Sequence, residues 1–311
     1  MLEKYCQFQN RKDQKDGTKA KKNCLFLFRM PFSMTKNTKI LLTSWVVCSI
    51  IETIYVGEGI MPRFFVQKEQ IQDGVVTIFG DDAHHISRAL RMAAGEHITV
   101  CDMQSYEYEC ELTDFLPDRV CATVLSQSRS NTEPPYLAHI YQALPKGDKL
   151  DLIIQKAVEC GAASITTFQS ERCVAKVKDT GEEKKLERRR RIAAEAAKQS
   201  GRGMLPEILP TVSFAEAIKR AAQADIPLFC YEGESNCSLS EILRERKASF
   251  HGEGLHTISV VIGSEGGFSL AEAEAAQRAG LISVGLGKRI LRTETASSFV
   301  LACLVYELEL S

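Results

Sequence analysis

The stretch Leu286-Gly-Lys-Arg-Ile-Leu-Arg-Thr-Glu-Thr-Ala296 decides how the C-terminal half of the chain folds. It follows the short apolar run 282–285, which predicts a buried strand, and it precedes residues 297–308, whose apolar side chains recur at helical spacing. The stretch is therefore predicted to be a loop between a strand and a closing helix. Its glycine lets the backbone approach a ligand closely, and Thr293 is predicted to cap the helix.

A second loop of the same design lies just upstream. Residues 257–262 are rich in β-branched side chains and predict a core strand that runs into Gly263-Ser-Glu-Gly-Gly-Phe268. Ser269 then begins a helix, with Glu272 at the spacing of a capping box. Two glycine loops at the carboxyl ends of strands, each leading into a helix, predict a ligand crevice in an α/β sheet, although ordinary tight turns have a similar composition.

Strand and helix patterns alternate over the whole region 136–311. Further strands are predicted at residues 137–144, 164–168 and 227–231, and helices at 150–160, 182–200, 214–224 and 239–248. This alternation is typical of an α/β domain with a largely parallel sheet. The basic run at the start of the long helix is either a solvated face or an edge that contacts phosphates.

An N-terminal domain is predicted over residues 61–130, before a polar linker that ends in two prolines. Short strands are expected at residues 63–66, 75–79, 98–103, 106–115 and 120–125, and a helix at 83–92. Several short strands in so few residues favour a small barrel. Histidine and arginine crowd the helix, which is either an ordinary solvated face or an edge that contacts RNA.

The first sixty residues differ in composition from the rest of the chain. They contain 10 Lys and Arg against 5 Asp and Glu, whereas the whole protein has a net charge of −1. Residues 40–56 are mostly apolar, but the run is short for a membrane span and contains Glu52. We expect residues 1–60 to lie outside the working protein, with a membrane-associated extension as the alternative, and we expect no stable membrane partner.

Composition and missing motifs exclude several classes of function. The near-neutral net charge means that any RNA site must be a local patch. The 11 cysteines include no Cys-x-x-Cys pair, which favours reduced thiols in a cytoplasmic protein, and no metal site is expected. The sequence also lacks the glycine-rich phosphate loop of nucleotide hydrolases and the nucleophile elbow of serine hydrolases.

The paired glycine loops resemble those of the RsmE family, which are ribosomal RNA small-subunit uridine-N3 methyltransferases of the SPOUT superfamily. The resemblance extends over nearly everything from Met61 onward, and its upstream motifs are Met61–Phe65, His84-His85, Leu90-Arg91, Lys146–Asp148, Lys156, Glu159, Arg172 and Gln199–Arg202. The motif around Arg292 is very specific, and the upstream ones are individually weak. Ser264 departs from the family pattern, which more often has proline there.

The resemblance implies a fold, a cofactor and partners. The fold is a SPOUT-type knotted α/β methyltransferase domain preceded by a small PUA-like β-barrel, and the methyl donor is S-adenosyl-L-methionine. The partners are 16S ribosomal RNA, within the small ribosomal subunit, and a second copy of the chain in a homodimer. The alternative is an RNA-binding or ribosome-assembly module that has kept the fold but does not turn over.

The residues expected at the site fall into three groups. Arg292 and Glu294 are the predicted catalytic residues: Arg292 stabilises the uridine anion, and Glu294 orients Arg292 or accepts the proton, as Glu265 could from the other loop. The alternative is that Arg292 and Glu294 merely pair and hold the loop. The cofactor is expected to contact Tyr231, Gly263, Glu265, Gly266, Leu286, Gly287, Ile290 and Leu291. The RNA is expected to contact Arg63, Arg88, Arg91, Lys146, Arg172 and Arg202.

Overall fold

The structure is a computed structural model that describes residues 61–104, 106–175, 181–232, 237–247 and 256–311. The predictions made for residues 1–60 lie outside these ranges. Within the described residues the chain forms two sheets. We call them the N-terminal sheet, from strands before residue 130, and the parallel sheet, from strands after residue 135.

The N-terminal sheet has six strands in the order β1-β4-β5-β6-β3-β2. They are β1 Arg63–Phe65, β2 Ile71–Gln72, β3 Val75–Phe79, β4 His97–Cys101, β5 Tyr106–Phe115 and β6 Arg119–Arg129. Every pair is antiparallel except β1 with β4. Register shifts between β5 and β6 bend the sheet, so one face curls around its own small apolar core.

Helix α1 (Gly80–His84) lies between β3 and β4 and continues as a π-helical turn, His85–Ala89. The predicted helix at residues 83–92 is therefore displaced toward the N-terminus. Arg91 adopts a left-handed φ of 54°, which a helix cannot continue through, and this explains the earlier end.

The parallel sheet has seven strands in the order β11-β13-β10-β12-β7-β8-β9, and all neighbouring pairs are parallel. They are β7 Tyr136–Ala143, β8 Ala162–Gln169, β9 Glu207–Ser213, β10 Ile226–Cys230, β11 Cys237–Ser238, β12 His256–Ile262 and β13 Ile282–Gly285. The largely parallel α/β arrangement predicted from the alternating pattern is confirmed.

Helices connect these strands and cover the sheet. They are α2 Lys149–Glu159, α3 Glu182–Gln199, α4 Phe214–Ala221, α5 Leu239–Lys247, α6 Leu270–Arg278 and α7 Thr293–Val305, and a π-helical turn, Tyr306–Leu310, follows α7. The core consists mainly of aliphatic side chains on β7, β10 and β12 and on the faces of the helices that pack against them. No helix among the described residues is long and apolar enough to cross a membrane.

Strand β9 and the start of α7 also differ from the sequence predictions. Strand β9 was not predicted, because Pro210 interrupts its apolar pattern; it lies at the end of the sheet, where a proline costs no interior hydrogen bond. Thr293 does not cap α7 but is its first residue, and the preceding Arg292 occupies the cap position. The Thr293 hydroxyl donates instead to the carbonyl of Gly263, 2.7 Å away.

Candidate active site

A cleft opens at the carboxyl edge of the parallel sheet, where β10, β12 and β13 end side by side. Its volume is about 360 Å³, within the usual range for a small-molecule site. The structure brings together all eight side chains or backbone positions predicted to contact a cofactor, namely Tyr231, Gly263, Glu265, Gly266, Leu286, Gly287, Ile290 and Leu291. Arg172, Arg289 and Glu232 also line the cleft, so it carries both charges.

In the first of the two loops in chain order, residues 263–268, two glycines are closely packed. A Cβ atom at Gly263 would lie 3.1 Å from the Phe268 ring, and one at Gly266 would lie 3.0 Å from Cβ of Arg172. In the second loop, Gly287 has a φ of +99°, which side-chain-bearing residues rarely adopt. At the four glycines that line the cleft, Gly263, Gly266, Gly267 and Gly287, only backbone atoms can contact a ligand.

A buried hydrogen-bonded junction joins the two loops. The amide nitrogen of Gln142, at the end of β7, donates to the Thr293 hydroxyl at 2.9 Å, and that hydroxyl donates to the Gly263 carbonyl. Gln142 was not predicted as a site residue, although a glutamine inside an apolar strand pattern is a signal that could have identified it. The junction fixes the start of α7 against the loop after β12.

Lys149 forms a second link between the loops, and the sequence analysis missed it. Its ammonium group lies 2.9 Å from Oε1 of Glu265 and 3.2 Å from Oε2 of Glu294. The two carboxylates hold the pKa of Lys149 above its ordinary value of 10.5. Its position in the sequence carries no local signal. The only indication is that two neighbouring glutamates in one site require a cation between them.

Both glutamates are held in the ionised form. Burial alone would raise the pKa of Glu265, but the hydrogen bond from Lys149 and the backbone N–H groups of Glu265 and Lys146 outweigh burial and lower the pKa. For Glu294, its own backbone N–H is the largest cause of the lowered pKa, and Lys149 adds to it. Neither carboxylate is therefore suited to accept a proton near neutral pH.

Arg292 reaches out from the rim of the cleft. Its side chain is 82% exposed, and its Nη1 lies 3.9 Å from Oε1 of Glu294, so this ion pair is long, exposed to solvent and weak. Glu294 has a shorter contact to Lys149. The geometry therefore favours Arg292 as a cation available to a substrate over the alternative that it holds the loop by pairing.

The six arginine and lysine residues predicted to contact RNA occupy three places. Lys146 and Arg172 are exposed beside the cleft; the Lys146 backbone N–H donates to Glu265, and the Arg172 guanidinium donates to the Gly266 carbonyl at 3.3 Å. The two exposed arginines of the helical segment after β3 are Arg88 and Arg91. The remaining two, Arg63 and Arg202, are held in internal ion pairs with Glu107 and Glu133.

The described residues contain no group of His, Cys, Asp or Glu that could hold a metal ion. The site offers a slot lined in part by glycines and by apolar side chains such as Leu286 and Leu291, two carboxylates bound by Lys149, and the exposed Arg292 at the rim. Such a site can hold a small molecule beside a second substrate and stabilise a developing negative charge.

Two protein families match the chain. A family described as RNA methyltransferase domain matches residues 132–305, and one described as RNA methyltransferase PUA domain matches residues 79–125. The protein named ribosomal RNA small subunit methyltransferase E of Bacillus subtilis is 36% identical over 80% of this chain and 98% of its own length. The protein of the same name from Mesomycoplasma hyopneumoniae is 31% identical over 78% of this chain and 97% of its own.

Solved structures show the same likeness. A ribosomal RNA small subunit methyltransferase E from Neisseria gonorrhoeae, bound to S-adenosyl methionine, is similar with a TM-score of 0.67 and 30% identity, covering 79% of this chain and 97% of that one. A putative methyltransferase from Legionella pneumophila, in complex with the same cofactor, has a TM-score of 0.69 and 26% identity, covering 79% and 98%.

Proposed function

The chain belongs to the ribosomal RNA small subunit methyltransferase E family, and from that membership we propose that it transfers a methyl group from S-adenosyl-L-methionine to a base of small-subunit ribosomal RNA. The family resemblance predicted from the glycine loops is confirmed, as is the predicted order of a PUA-like part followed by an α/β methyltransferase domain. The rival prediction, an RNA-binding module without turnover, is not favoured by these relatives.

The cleft formed by the two glycine loops is the observation that carries the proposal. Its size suits a nucleoside-sized cofactor, and four of its lining residues are glycines, two of which, Gly263 and Gly266, are closely packed. The Glu265 carboxylate on the lining suits a positively charged sulfur. When bound, the cofactor supplies an electrophilic methyl group, and the protein supplies position and electrostatics.

We propose further that the methyl acceptor is N3 of a uridine. Uridine N3 carries a proton at neutral pH, and removing it spreads negative charge over the two flanking carbonyl oxygens. The exposed guanidinium of Arg292 can reach such an oxygen and stabilise that charge. Because the pKa of both Glu265 and Glu294 is lowered, we assign the departing proton to water at the rim of the cleft rather than to a glutamate.

The setting of the reaction is also part of the proposal. The substrate is 16S ribosomal RNA, within the small ribosomal subunit, and the protein accordingly works in the cytoplasm. Lys146 and Arg172, beside the cleft, and Arg88 and Arg91, on the N-terminal sheet, supply contacts to the RNA. We propose also that the working form is a homodimer and that the chain around the cleft forms a trefoil knot of the SPOUT type.

The experiment that tests the function uses the purified full chain, methyl-labelled S-adenosylmethionine and small ribosomal subunits from cells that lack the protein. We expect the label in 16S RNA, at a uridine whose position is mapped by mass spectrometry of RNA fragments. Digestion of the RNA to nucleosides and comparison with methyluridine standards should then place the methyl group on N3. Label on a ribose or on a different base would contradict the N3 assignment but would still support methyl transfer to ribosomal RNA. Calorimetry that detects no cofactor binding would favour the module without turnover.

A further inference from the structure

A second charged cluster lies at the amino edge of the parallel sheet, opposite the cleft. Here the linker from the N-terminal sheet enters β7, and the loop after α3 passes beside it. Glu133 of the linker and Arg202 of the loop form an ion pair with a separation of 2.7 Å. We call these two residues the linker clamp. Neither has a part in the site described above.

The arginine of the linker clamp is almost fully bonded. Only 4% of Arg202 is exposed. Its Nε donates to both carboxylate oxygens of Glu133, and its Nη2 donates to one of them. Its Nη1 donates to the carbonyls of Val158, at the end of α2, and Ala162, at the start of β8. Four of the five N–H groups of this guanidinium are therefore occupied, and the side chain is too buried to contact a phosphate.

Glu133 is bonded just as fully, and its partners all lie in the loop after α3. Besides Arg202, its Oε1 accepts from the backbone N–H groups of Gly203 and Met204. The next residue of the linker packs equally closely, because a Cβ at Gly161 would lie 2.8 Å from the Pro134 ring. The linker is therefore held against the parallel sheet by hydrogen bonds on one residue and by packing on its neighbour.

The N-terminal sheet contacts the same loop directly. Arg63, on β1, donates to the carbonyl of Arg202 at 3.3 Å and pairs with Glu107 on β5. On α3, Lys198 donates to Asp82 of α1 at 2.6 Å and lies 5.1 Å from the centre of the Phe64 ring. These contacts surround the linker clamp, so its loss would loosen the contact between the two sheets without touching the cleft.

We propose that Arg202 and Glu133 are positioning residues, which set the orientation of the N-terminal sheet so that RNA bound there presents its target base to the cleft. This inference rests on the proposed function. β7 is 8 residues long, and at roughly 3.3 Å per residue its amino end, at the linker, lies about 25 Å from its carboxyl end, at the cleft. Over that distance a small change of angle at the linker displaces the RNA considerably.

Glu133→Gln separates this role from direct RNA contact. If Arg202 contacted phosphate, removing the neighbouring carboxylate would leave RNA binding unchanged or strengthen it, since a negative charge is lost. If the pair positions the N-terminal sheet, Glu133→Gln and Arg202→Lys should have the same defect, because a lysine keeps the charge but not the fork. Arg220→Lys, in the exposed pair with Glu216, is the matched control.

We expect kcat/KM for the ribosomal RNA substrate to fall about tenfold or more in both variants, with cofactor affinity within about twofold of wild type. Limited proteolysis of the free protein should cut residues 130–135 faster in both variants and not in the control. The double variant should be no worse than either single variant, because the two side chains act as one unit.

Three results would overturn the proposal. The first is unchanged kcat/KM and linker cleavage in Glu133→Gln. The second is loss of cofactor binding in either variant, which would mean that the pair supports the whole fold. The third concerns Arg202→Ala: the slope of the logarithm of the RNA binding constant against the logarithm of the salt concentration would fall by about one, as it does when one phosphate contact is lost. The proteolysis result needs no methyl transfer, so failure of the proposed function is distinguishable from failure of this one.

Discussion

Arg292 is the side chain on which the proposed chemistry depends, and its exposure makes a sharp prediction. Arg292→Ala should lower kcat by roughly 100-fold, a typical loss when one group that stabilises a developing negative charge is removed. Arg292→Lys should recover little of the rate, since an ammonium group lacks the planar fork. Cofactor affinity should not change, because the 82% exposed side chain does not line the cleft. Single-turnover kinetics and calorimetry measure the two quantities.

The pH profile of the Arg292 variants gives the internal check. High pH deprotonates uridine N3 without help, so the rate of Arg292→Ala should approach that of wild type as the pH rises. Lys288→Ala removes an exposed cation from the same loop and should leave the rate unaffected. A near wild-type rate in Arg292→Ala at neutral pH, with both substrates bound, would refute the role of this arginine.

Lys149 makes a prediction about stability and pH. Its two carboxylate partners have lowered pKa values, so their pairing stabilises the fold above their ordinary value of 4.5 and is lost as the pH falls through the lowered values. The pKa of Lys149 is raised, so its contribution is complete below 10.5 and is lost as the pH rises through the raised value. Lys149→Met should therefore lower the Tm by a constant amount between these limits and by less beyond them.

The comparison for Lys149 is Lys146→Met, three residues upstream, where the backbone but not the side chain bonds Glu265. Its Tm should follow wild type at every pH. In Lys149→Met the cofactor affinity should also fall several-fold, since the two loops lose their shared cation. An equal Tm for Lys149→Met and wild type at pH 7 would show that the pairing contributes nothing.

The first glycine loop makes a prediction at the scale of an element. A Cβ at Gly266 would lie 3.0 Å from Cβ and 3.1 Å from the carbonyl oxygen of Arg172, so Gly266→Ala requires these atoms to shift by a few tenths of an ångström. Overpacking of this kind costs roughly 1–3 kcal/mol, which we expect to appear as a cofactor Kd raised about tenfold or more. RNA binding by the N-terminal sheet should be unaffected, and calorimetry with filter binding measures both.

Ser264→Ala is the control in that loop. It shortens a side chain whose buried hydroxyl has no hydrogen-bond partner in the structure, and it adds no atom. The cofactor Kd should therefore stay close to wild type. If Gly266→Ala and Ser264→Ala bound the cofactor equally well, the close approach at Gly266 would not be what shapes the cleft.

The elements show why some features were predictable from the sequence and others were not. Local patterns placed β3, β5 and β13 and both glycine loops, because period and turn chemistry act over a few residues. The roles of Lys149 and Glu133 depend on partners more than 60 residues away, which no local pattern reports. The predicted RNA contact at Arg202 shows the same limit, since its burial follows from the linker beside it.

At the scale of the whole molecule, residues 61–311 are expected to suffice. The relative from Bacillus subtilis matches over 98% of its own length while covering 80% of this chain. A chain that begins at Met61 should therefore keep full methyl transfer and the same melting temperature as the full chain. Parallel assays of the two proteins on the same ribosomal substrate test this. A large loss of activity would mean that the basic, partly apolar N-terminal segment takes part in the reaction.

The closing helix supports the proposed homodimer. Val300, Leu301 and Leu304 bury one face of α7 in the chain's own core. Another face remains uncovered: Thr295, Phe299, Ala302 and Tyr306 are all exposed, and their spacing places them in one stripe along the helix. An exposed stripe with two aromatic side chains, Phe299 and Tyr306, is typical of a protein interface, and a second copy, joined about a two-fold axis, would cover both stripes at once.

The stripe leads to the last prediction. Ile290, in the second glycine loop, which leads into α7, is 83% exposed, so a second copy covering the stripe would also shield that loop. We expect wild type to sediment as a dimer at micromolar concentration. Phe299→Glu should sediment as a monomer, because a charge in an apolar interface must be desolvated. It should also bind the cofactor more weakly, because the second copy no longer shields the loop. Leu125→Glu, at an exposed leucine of β6, should remain dimeric with normal affinity. A monodisperse wild-type monomer would refute the dimer, and a monomeric Phe299→Glu with normal cofactor affinity would refute the shielding.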